Sequence, residues 1–106
     1  MIGNLMNSFK DLKFKKHENN FDGIQSTHTF GNGYTLSVIG GDGFYGDGEN
    51  TFEVGVLYES GFTRKFFNDD VDDDVRGWLS KSEVTKLIKE IKKSAWLTSI
   101  NTFKLT

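Results

Sequence analysis

Cysteine and proline are both missing from this chain, and histidine occurs only twice. The lack of cysteine excludes disulfides, thiolate nucleophiles and cysteine-ligated zinc sites. His17 and His28 have no third nitrogen or sulfur ligand at a spacing that would complete a zinc site. No serine lies in a nucleophile-elbow motif, so nothing suggests a catalytic dyad or triad. The residues therefore predict neither catalytic groups, nor a cofactor, nor a bound metal.

Long hydrophobic runs are also missing. No apolar stretch approaches the ~20 residues that a membrane-spanning helix requires, and Met1 opens a mixed segment that does not resemble a signal peptide. Hydrophobic residues make up 36% and charged residues 26% of the chain, which is typical of a folded soluble protein. We expect one small domain over residues 1–106, in which residues 1–10 and 95–106 can be peripheral.

Alternating apolar residues indicate an antiparallel meander of about four β-strands. Gly31-Asn32-Gly33 is a strong hairpin signal, and Glu59-Ser60-Gly61 marks a later turn. Between these turns lies a loop too rich in glycine for regular structure, the glycine loop (residues 40–48). The predicted strands are residues 24–30, 34–38, 52–58 and about 62–66, with residues 12–16 as a charged edge strand.

A C-terminal amphipathic helix is predicted to cover this sheet. Ser80 and Glu83 have the spacing of a capping box, which marks the start of a helix. One apolar stripe follows at helical spacing, formed by Val84, Leu87, Ile88, Ile91 and Ala95. The spacing of Ile2, Leu5, Met6 and Phe9 is compatible with a short N-terminal helix. The predicted fold class is α+β.

Charge is unevenly distributed along the chain. From Gly40 to Asp74 there are ten acidic and two basic residues, whereas lysines cluster on both flanks. The densest part is the acidic run (residues 69–74), which contains Asp69, Asp70, Asp72, Asp73 and Asp74. We expect these carboxylates to repel one another and to bind a basic partner, assisted by the loop aromatics Phe44 and Tyr45. Alternatively, they only solvate the loop and favour the helix N-terminus. The chain has no basic footprint for nucleic acid.

Residues 72–83 formally match a calcium-binding EF-hand loop. Asp72, Asp74, Gly77 and Glu83 occupy loop positions 1, 3, 6 and 12, but Arg76 places a cation where an oxygen ligand is needed. A calcium-binding module remains an alternative to an acidic loop before a capped helix. The glycine loop lacks the Gly-Lys-Ser/Thr of a phosphate-binding loop and the tandem repeats of a calcium-binding β-helix. It is interpreted as a mobile hairpin tip.

Several motifs between residues 30 and 91 resemble a group of small uncharacterised bacteriophage proteins. They are Asn32-Gly33-Tyr34 with Ser37-Val38-Ile39, Tyr45-Gly46 with Phe52-Glu53-Val54-Gly55-Val56-Leu57, and Asp73-Asp74-Val75-Arg76-Gly77-Trp78-Leu79-Ser80 with Glu83-Val84. The group commonly has an aliphatic residue in place of Arg76. The resemblance implies a phage or prophage origin and a location in the bacterial host cytoplasm. It implies no activity and no functional residue.

Together, these observations predict a non-enzymatic, phage-encoded binding protein. The expected function is inhibition of a host or defence macromolecule, in the manner of an anti-CRISPR protein, through an acidic surface. Such a surface can occupy basic grooves that otherwise bind nucleic-acid phosphates. The expected partner is a host or defence protein, including nucleic-acid-binding ones, and neither nucleic acid itself nor a membrane is expected to bind. The alternative is an accessory protein in phage structure or morphogenesis.

Overall fold

An antiparallel sheet of six strands and a C-terminal helix make up the fold, which confirms the predicted α+β class. The computed structural model describes residues 6–19 and 22–105, with side chains as far as residue 94. The elements are β1 (Lys15–Lys16), β2 (Gly23–Thr29), β3 (Tyr34–Gly41), β4 (Thr51–Tyr58), β5 (Gly61–Thr63), β6 (Val75–Ser80) and α1 (Lys81–Leu105).

Strands β2, β3 and β4 form the centre of the sheet. The predicted hairpin joins β2 to β3, with Gly33 at a φ of 92° and the Phe30 amide bonded to the Tyr34 carbonyl at 2.7 Å. Leu36 lies opposite Val56 and Val38 opposite Val54 in the β3–β4 ladder. Since side chains alternate between faces, these aliphatics share one face, and the intervening residues point to the other.

Helix α1 packs on the aliphatic face. Its start is the predicted capping box: the Ser80 amide donates to Glu83 Oε1 at 2.8 Å, and the Glu83 amide donates to Ser80 Oγ at 3.2 Å. The predicted stripe is confirmed as far as its side chains are described, with Val84, Leu87, Ile88 and Ile91 all buried in the core. Fully buried side chains facing them from the sheet are Leu36, Val38, Phe52, Val54 and Val56.

Strands β5 and β6 both pair with β4, on the edge that β3 leaves open. Thr63 of β5 pairs with Val56, and Val75 of β6 pairs with the neighbouring Gly55. Strand β6 was not predicted, and with it the sheet has six strands, against the four or five expected. Its alternation is obscured because a β-bulge interrupts the pairing between Arg76 and Leu79.

The N-terminal predictions are only partly matched. Ile2 and Leu5 lie outside the described residues, and Phe9–Asp11 form a 3-10 turn, not an α-helix. The predicted edge strand over residues 12–16 is reduced to the two residues of β1, and Leu12 is buried in the core. None of the described helices combines the length and hydropathy needed to cross a bilayer.

Candidate functional site

The acidic run lies in a loop that interrupts the edge of the sheet. Pairing with β4 stops at Thr63, which lies opposite Val56, and resumes at Val75, which lies opposite Gly55. Residues 64–74 therefore form a loop whose ends lie close together. We call this segment the edge loop. Arg64 and Asp74, its first and last residues, are joined by a bond of 3.2 Å from Nε to Oδ1. Compact loops with neighbouring ends frequently carry function.

Arg76, in strand β6, bonds several residues of the edge loop. Its Nη2 and Nε donate to the two carboxylate oxygens of Asp69 at 2.6 and 2.9 Å, a fork that orients both groups. The same guanidinium donates to the carbonyls of Asp73 and Val71 at 2.5 and 3.1 Å, and it lies 4.5 Å above the Phe67 ring. Only 12% of the side chain is exposed. Arg76 therefore determines the conformation of the loop, a role that its sequence position did not reveal.

The carboxylates of the acidic run are less isolated than their density suggested. Arg64 Nη1 donates to Asp72 at 2.8 Å, and Asp73 Oδ1 accepts the Val75 amide at 3.2 Å. Hydrogen bonding from Arg76 lowers the pKa of Asp69, and hydrogen bonding to Asp72 and Asp74 raises the pKa of Arg64. The expected mutual repulsion is thus partly offset by two arginines.

Negative charge still faces outward from the edge loop. The Asp72 side chain remains 95% exposed despite its ion pair, and Asp74 is half exposed. Asp70 is exposed and makes no polar contact with the described residues. Five carboxylates against Arg64 and Arg76 leave the run with a clear negative balance. The loop presents this charge in a fixed arrangement.

Hydrogen bonds and close backbone contacts hold the glycine loop against the sheet. Asp47 Oδ1 accepts the amides of Glu49, Asn50 and Thr51 at 2.8, 2.8 and 3.0 Å. These three bonds lower the pKa of Asp47 to about 2. Gly46 lies directly against the backbone of Phe52 in β4, which leaves no room for a side chain. The loop therefore folds back onto the sheet.

Phe44 and Tyr45 differ in exposure. Phe44 is half-buried: its ring lies 4.9 Å from that of His17 and covers Gly23. Tyr45 is 59% exposed, although its backbone is fixed by a bond from its amide to Glu53 Oε1 at 2.9 Å. Of the two predicted contact residues, Tyr45 is the one that offers most of its ring to a partner.

Trp78 is a third aromatic at this place, and sequence reasoning did not single it out. It lies in the β6 bulge with a φ of 60°, and its side chain is 61% exposed. The Trp78 amide donates to the Tyr45 carbonyl at 2.7 Å, and Gly77 packs directly against Tyr45 Cβ. The only sequence signal was Gly77-Trp78 in a segment whose alternation fails, which is typical of a bulge.

Strand β6 follows the acidic run directly and contacts Tyr45 of the glycine loop. The acidic run enters the strand at Val75, and Tyr45 lies against Gly77 on the same strand. On the sheet face opposite the helix, Phe62 and Val75 lie side by side over Gly55, and Phe62 is 50% exposed. Residues Tyr45 and Phe62 therefore each present an exposed aromatic ring beside strand β6 or its partner β4.

A cavity of about 440 Å³ separates the edge loop from helix α1. Its apolar walls come from Phe66, Phe67, Leu79 and Leu87, and its charged lining comes from Asp69, Arg76, Glu83, Lys86 and Glu90. Within this lining, Arg76 and Asp69 form an ion pair, and Glu83 caps helix α1.

The segment that matched an EF-hand loop has a different conformation. Residues Val75–Ser80 form an extended strand, whereas calcium ligands must converge on one ion. Asp72 bonds Arg64, and Glu83 caps the helix. The described residues contain no group of three His, Asp or Glu side chains placed to hold a metal ion.

The side chain of His28 packs edge-on against the Phe30 ring, and burial lowers the pKa of His28.

Comparison with known proteins adds no assignment: no family model matches the chain, and no curated protein or solved structure is significantly similar to it.

Proposed function

We propose that this chain is a non-enzymatic binding protein that attaches to a basic surface of a partner protein through its edge loop. The observation that carries this proposal is the clamping of an acidic loop by Arg64 and Arg76, which leaves Asp70 and Asp72 pointing into solvent. A loop that only solvates the chain has no need of a fixed conformation.

Preorganisation favours binding because little conformational freedom remains to be lost when a partner attaches. Opposite charges also raise the rate of encounter, and the effect weakens as salt screens the charges. The partner surface that fits best is a groove of lysines and arginines, such as those that bind nucleic-acid phosphates. Carboxylates at fixed positions compete for the same cations.

Inhibition of a host or defence protein follows from this mode of binding. A small protein that occupies a phosphate-binding groove blocks the nucleic acid without catalysing any reaction. The resemblance to bacteriophage proteins supports this biological setting, in which the chain acts inside a bacterial host in the manner of an anti-CRISPR protein.

The test compares two doubly neutralised variants. Asp70→Asn/Asp72→Asn removes the most outward charges, and with them the ion pair from Arg64 to Asp72. It keeps the bonds from Arg76 to Asp69 and from Arg64 to Asp74. Glu18→Gln/Glu59→Gln removes the same charge from exposed positions elsewhere and serves as the matched control. Both variants and the unmodified chain are immobilised and exposed to a synthetic arginine-rich peptide and to a bacterial lysate.

We expect the unmodified chain and the control to bind the peptide at low salt and to lose it at high salt. The edge-loop variant should bind at least several-fold more weakly. The candidate partners are lysate proteins that the unmodified chain and the control retain and that added nucleic acid releases. Mass spectrometry identifies them. Equal retention by all three proteins would rule the edge loop out as the binding surface.

A further inference from the structure

A groove of about 360 Å³ lies between Trp78 and the glycine loop. Phe44 and Trp78 supply its aromatic lining, Asp42 and Asp47 contribute acidic residues, and glycines complete the surface. Its volume falls in the ~300–1,000 Å³ range of small-ligand sites. Because both sides are fixed by the bond from the Trp78 amide to the Tyr45 carbonyl, the groove is preformed.

Trp78 is an unfavourable residue for the fold at this position. Its φ of 60° lies in the left-handed region, which glycine, asparagine and aspartate adopt most readily. The indole does not compensate by joining the core, since 61% of it is exposed. Backbone strain combined with an exposed large aromatic is typical of residues that contact a partner.

The lining selects the chemistry of the ligand. Tryptophan is the ring that attracts cations most strongly over its face. Asp47 is ionised at neutral pH, and the three backbone amides that donate to its Oδ1 lower its pKa further. A guanidinium group satisfies both features, since it is planar, stacks on aromatic rings and bonds carboxylates through paired N–H groups.

We infer that this aromatic groove receives an arginine side chain of the partner protein, stacked on Trp78 and facing Asp42 and Asp47. The inference rests on the proposed function and adds an anchor point to it. Asp74 and Trp78 are four positions apart along the chain, at most about 13 Å at ~3.3 Å per residue of extended strand, and the β6 bulge shortens this distance. One basic surface can therefore contact the edge loop and insert an arginine into the groove simultaneously.

A pair of capped tripeptides tests the groove directly. Acetyl-Gly-Arg-Gly-amide carries the guanidinium, and acetyl-Gly-citrulline-Gly-amide is a neutral isostere. Each is titrated into isotopically labelled full-length chain while amide and indole NMR signals are followed. We expect the arginine peptide to shift the signals of Gly43, Gly46 and the Trp78 indole, and the citrulline peptide to bind at least tenfold more weakly. The affinity of the corresponding lysine peptide should lie between those of the arginine and citrulline peptides.

Two substitutions separate binding from folding. Trp78→Gly removes the indole and relieves the left-handed backbone, so we expect at least a tenfold loss of arginine-peptide affinity without a lower melting temperature. Asp47→Asn keeps an oxygen acceptor for the three amides but removes the charge, and it should weaken the peptide several-fold. Phe62→Leu changes an exposed aromatic outside the groove and should leave affinity unchanged.

The outcomes distinguish this inference from the proposed function. Shifts confined to residues 69–74 would overturn the groove and leave the edge loop as the binding surface. Equal affinity for the arginine and citrulline peptides, or unchanged affinity in a folded Trp78→Gly variant, would also overturn it. Shifts at neither place would count against both proposals. Shifts in the groove that disappear in Trp78→Gly would establish it.

Discussion

The edge loop leads into strand β6, and the glycine loop contacts the same strand through Tyr45. The two loops are stabilised in different ways. In the glycine loop, backbone amides converge on Asp47 and Gly46 packs against the backbone of β4. In the edge loop, the guanidinium groups of Arg64 and Arg76 hold the carboxylates. The first arrangement combines close backbone packing with hydrogen bonds to one carboxylate, and the second depends on ion pairs.

This difference indicates which loop can respond to its surroundings. Close backbone packing is insensitive to salt, whereas exposed ion pairs are screened by it. A basic partner also competes for the carboxylates that Arg64 and Arg76 hold. The ion pairs of the edge loop are therefore the contacts more sensitive to salt and to a competing cation.

The largest expected effect comes from adding a methyl group to the glycine loop. In Gly46→Ala the new Cβ would lie 2.5 Å from Phe52 Cα, so the backbone must shift. We expect a loss of about 1–3 kcal/mol in the free energy of unfolding, measured by urea denaturation. Gly31→Ala is the matched control, because nothing lies within 4 Å of its Cβ. Equal stability of the two variants would contradict close packing as the basis of the glycine loop.

Removing the helix cap should have an effect of intermediate size on stability. Ser80 ends strand β6, which begins directly after the edge loop. Ser80→Ala removes the oxygen that accepts the Glu83 amide, so the free energy of unfolding should fall by about 1 kcal/mol. Ser60→Ala, in an exposed turn, should have little effect. Chemical denaturation of both variants checks this, and an unchanged Ser80→Ala midpoint would show that the cap contributes nothing.

Acid should weaken the glycine loop in a defined range. The pKa of Asp47 is lowered from 3.8 to about 2, so its stabilisation is present above pH 3.8 and is lost as the pH falls through about 2. Asp47→Asn has no carboxyl to protonate. We expect its melting temperature to fall less than that of the unmodified chain between neutral pH and pH 2. Parallel pH profiles would contradict this account.

The smallest effects are expected in the edge loop. Arg64→Gln should leave the melting temperature unchanged, because exposed ion pairs contribute little to stability. Arg76→Gln removes the more buried clamp and should open the loop locally. Chymotrypsin should then cleave after Phe66 or Phe67 several-fold faster than in Arg64→Gln. The same cleavage rate in both variants would show that Arg76 is not the principal clamp.

Much of the fold could be predicted because local patterns agree with the tertiary structure. The Gly31-Asn32-Gly33 hairpin, the alternation in β3 and β4 and the capping box at Ser80 each depend on a few neighbouring residues. Strand β6 was missed because its bulge breaks the alternation. Its pairing with β4 also depends on a return across the edge loop, which no local pattern encodes.

The candidate site was predicted less completely. The acidic run and Tyr45 are visible in the sequence as charge and as an aromatic in a loop. The roles of Arg76 and Trp78 are not, because the first requires knowing which carboxylate it reaches and the second requires a backbone dihedral angle. Clamping by Arg76 and left-handed strain at Trp78 are properties of the folded chain.

The position of the edge loop has an evolutionary consequence. Thr63 and Val75 occupy neighbouring places against Val56 and Gly55, so a chain lacking residues 64–74 could continue as one uninterrupted edge strand. The loop has the form of an insertion into such a strand. Because the entropy of closing a loop rises only slowly with its length, longer or shorter loops can be exchanged here at little cost to the rest of the sheet. The segment could thus be exchanged while the sheet is kept, and the same junction offers a place to graft new loops.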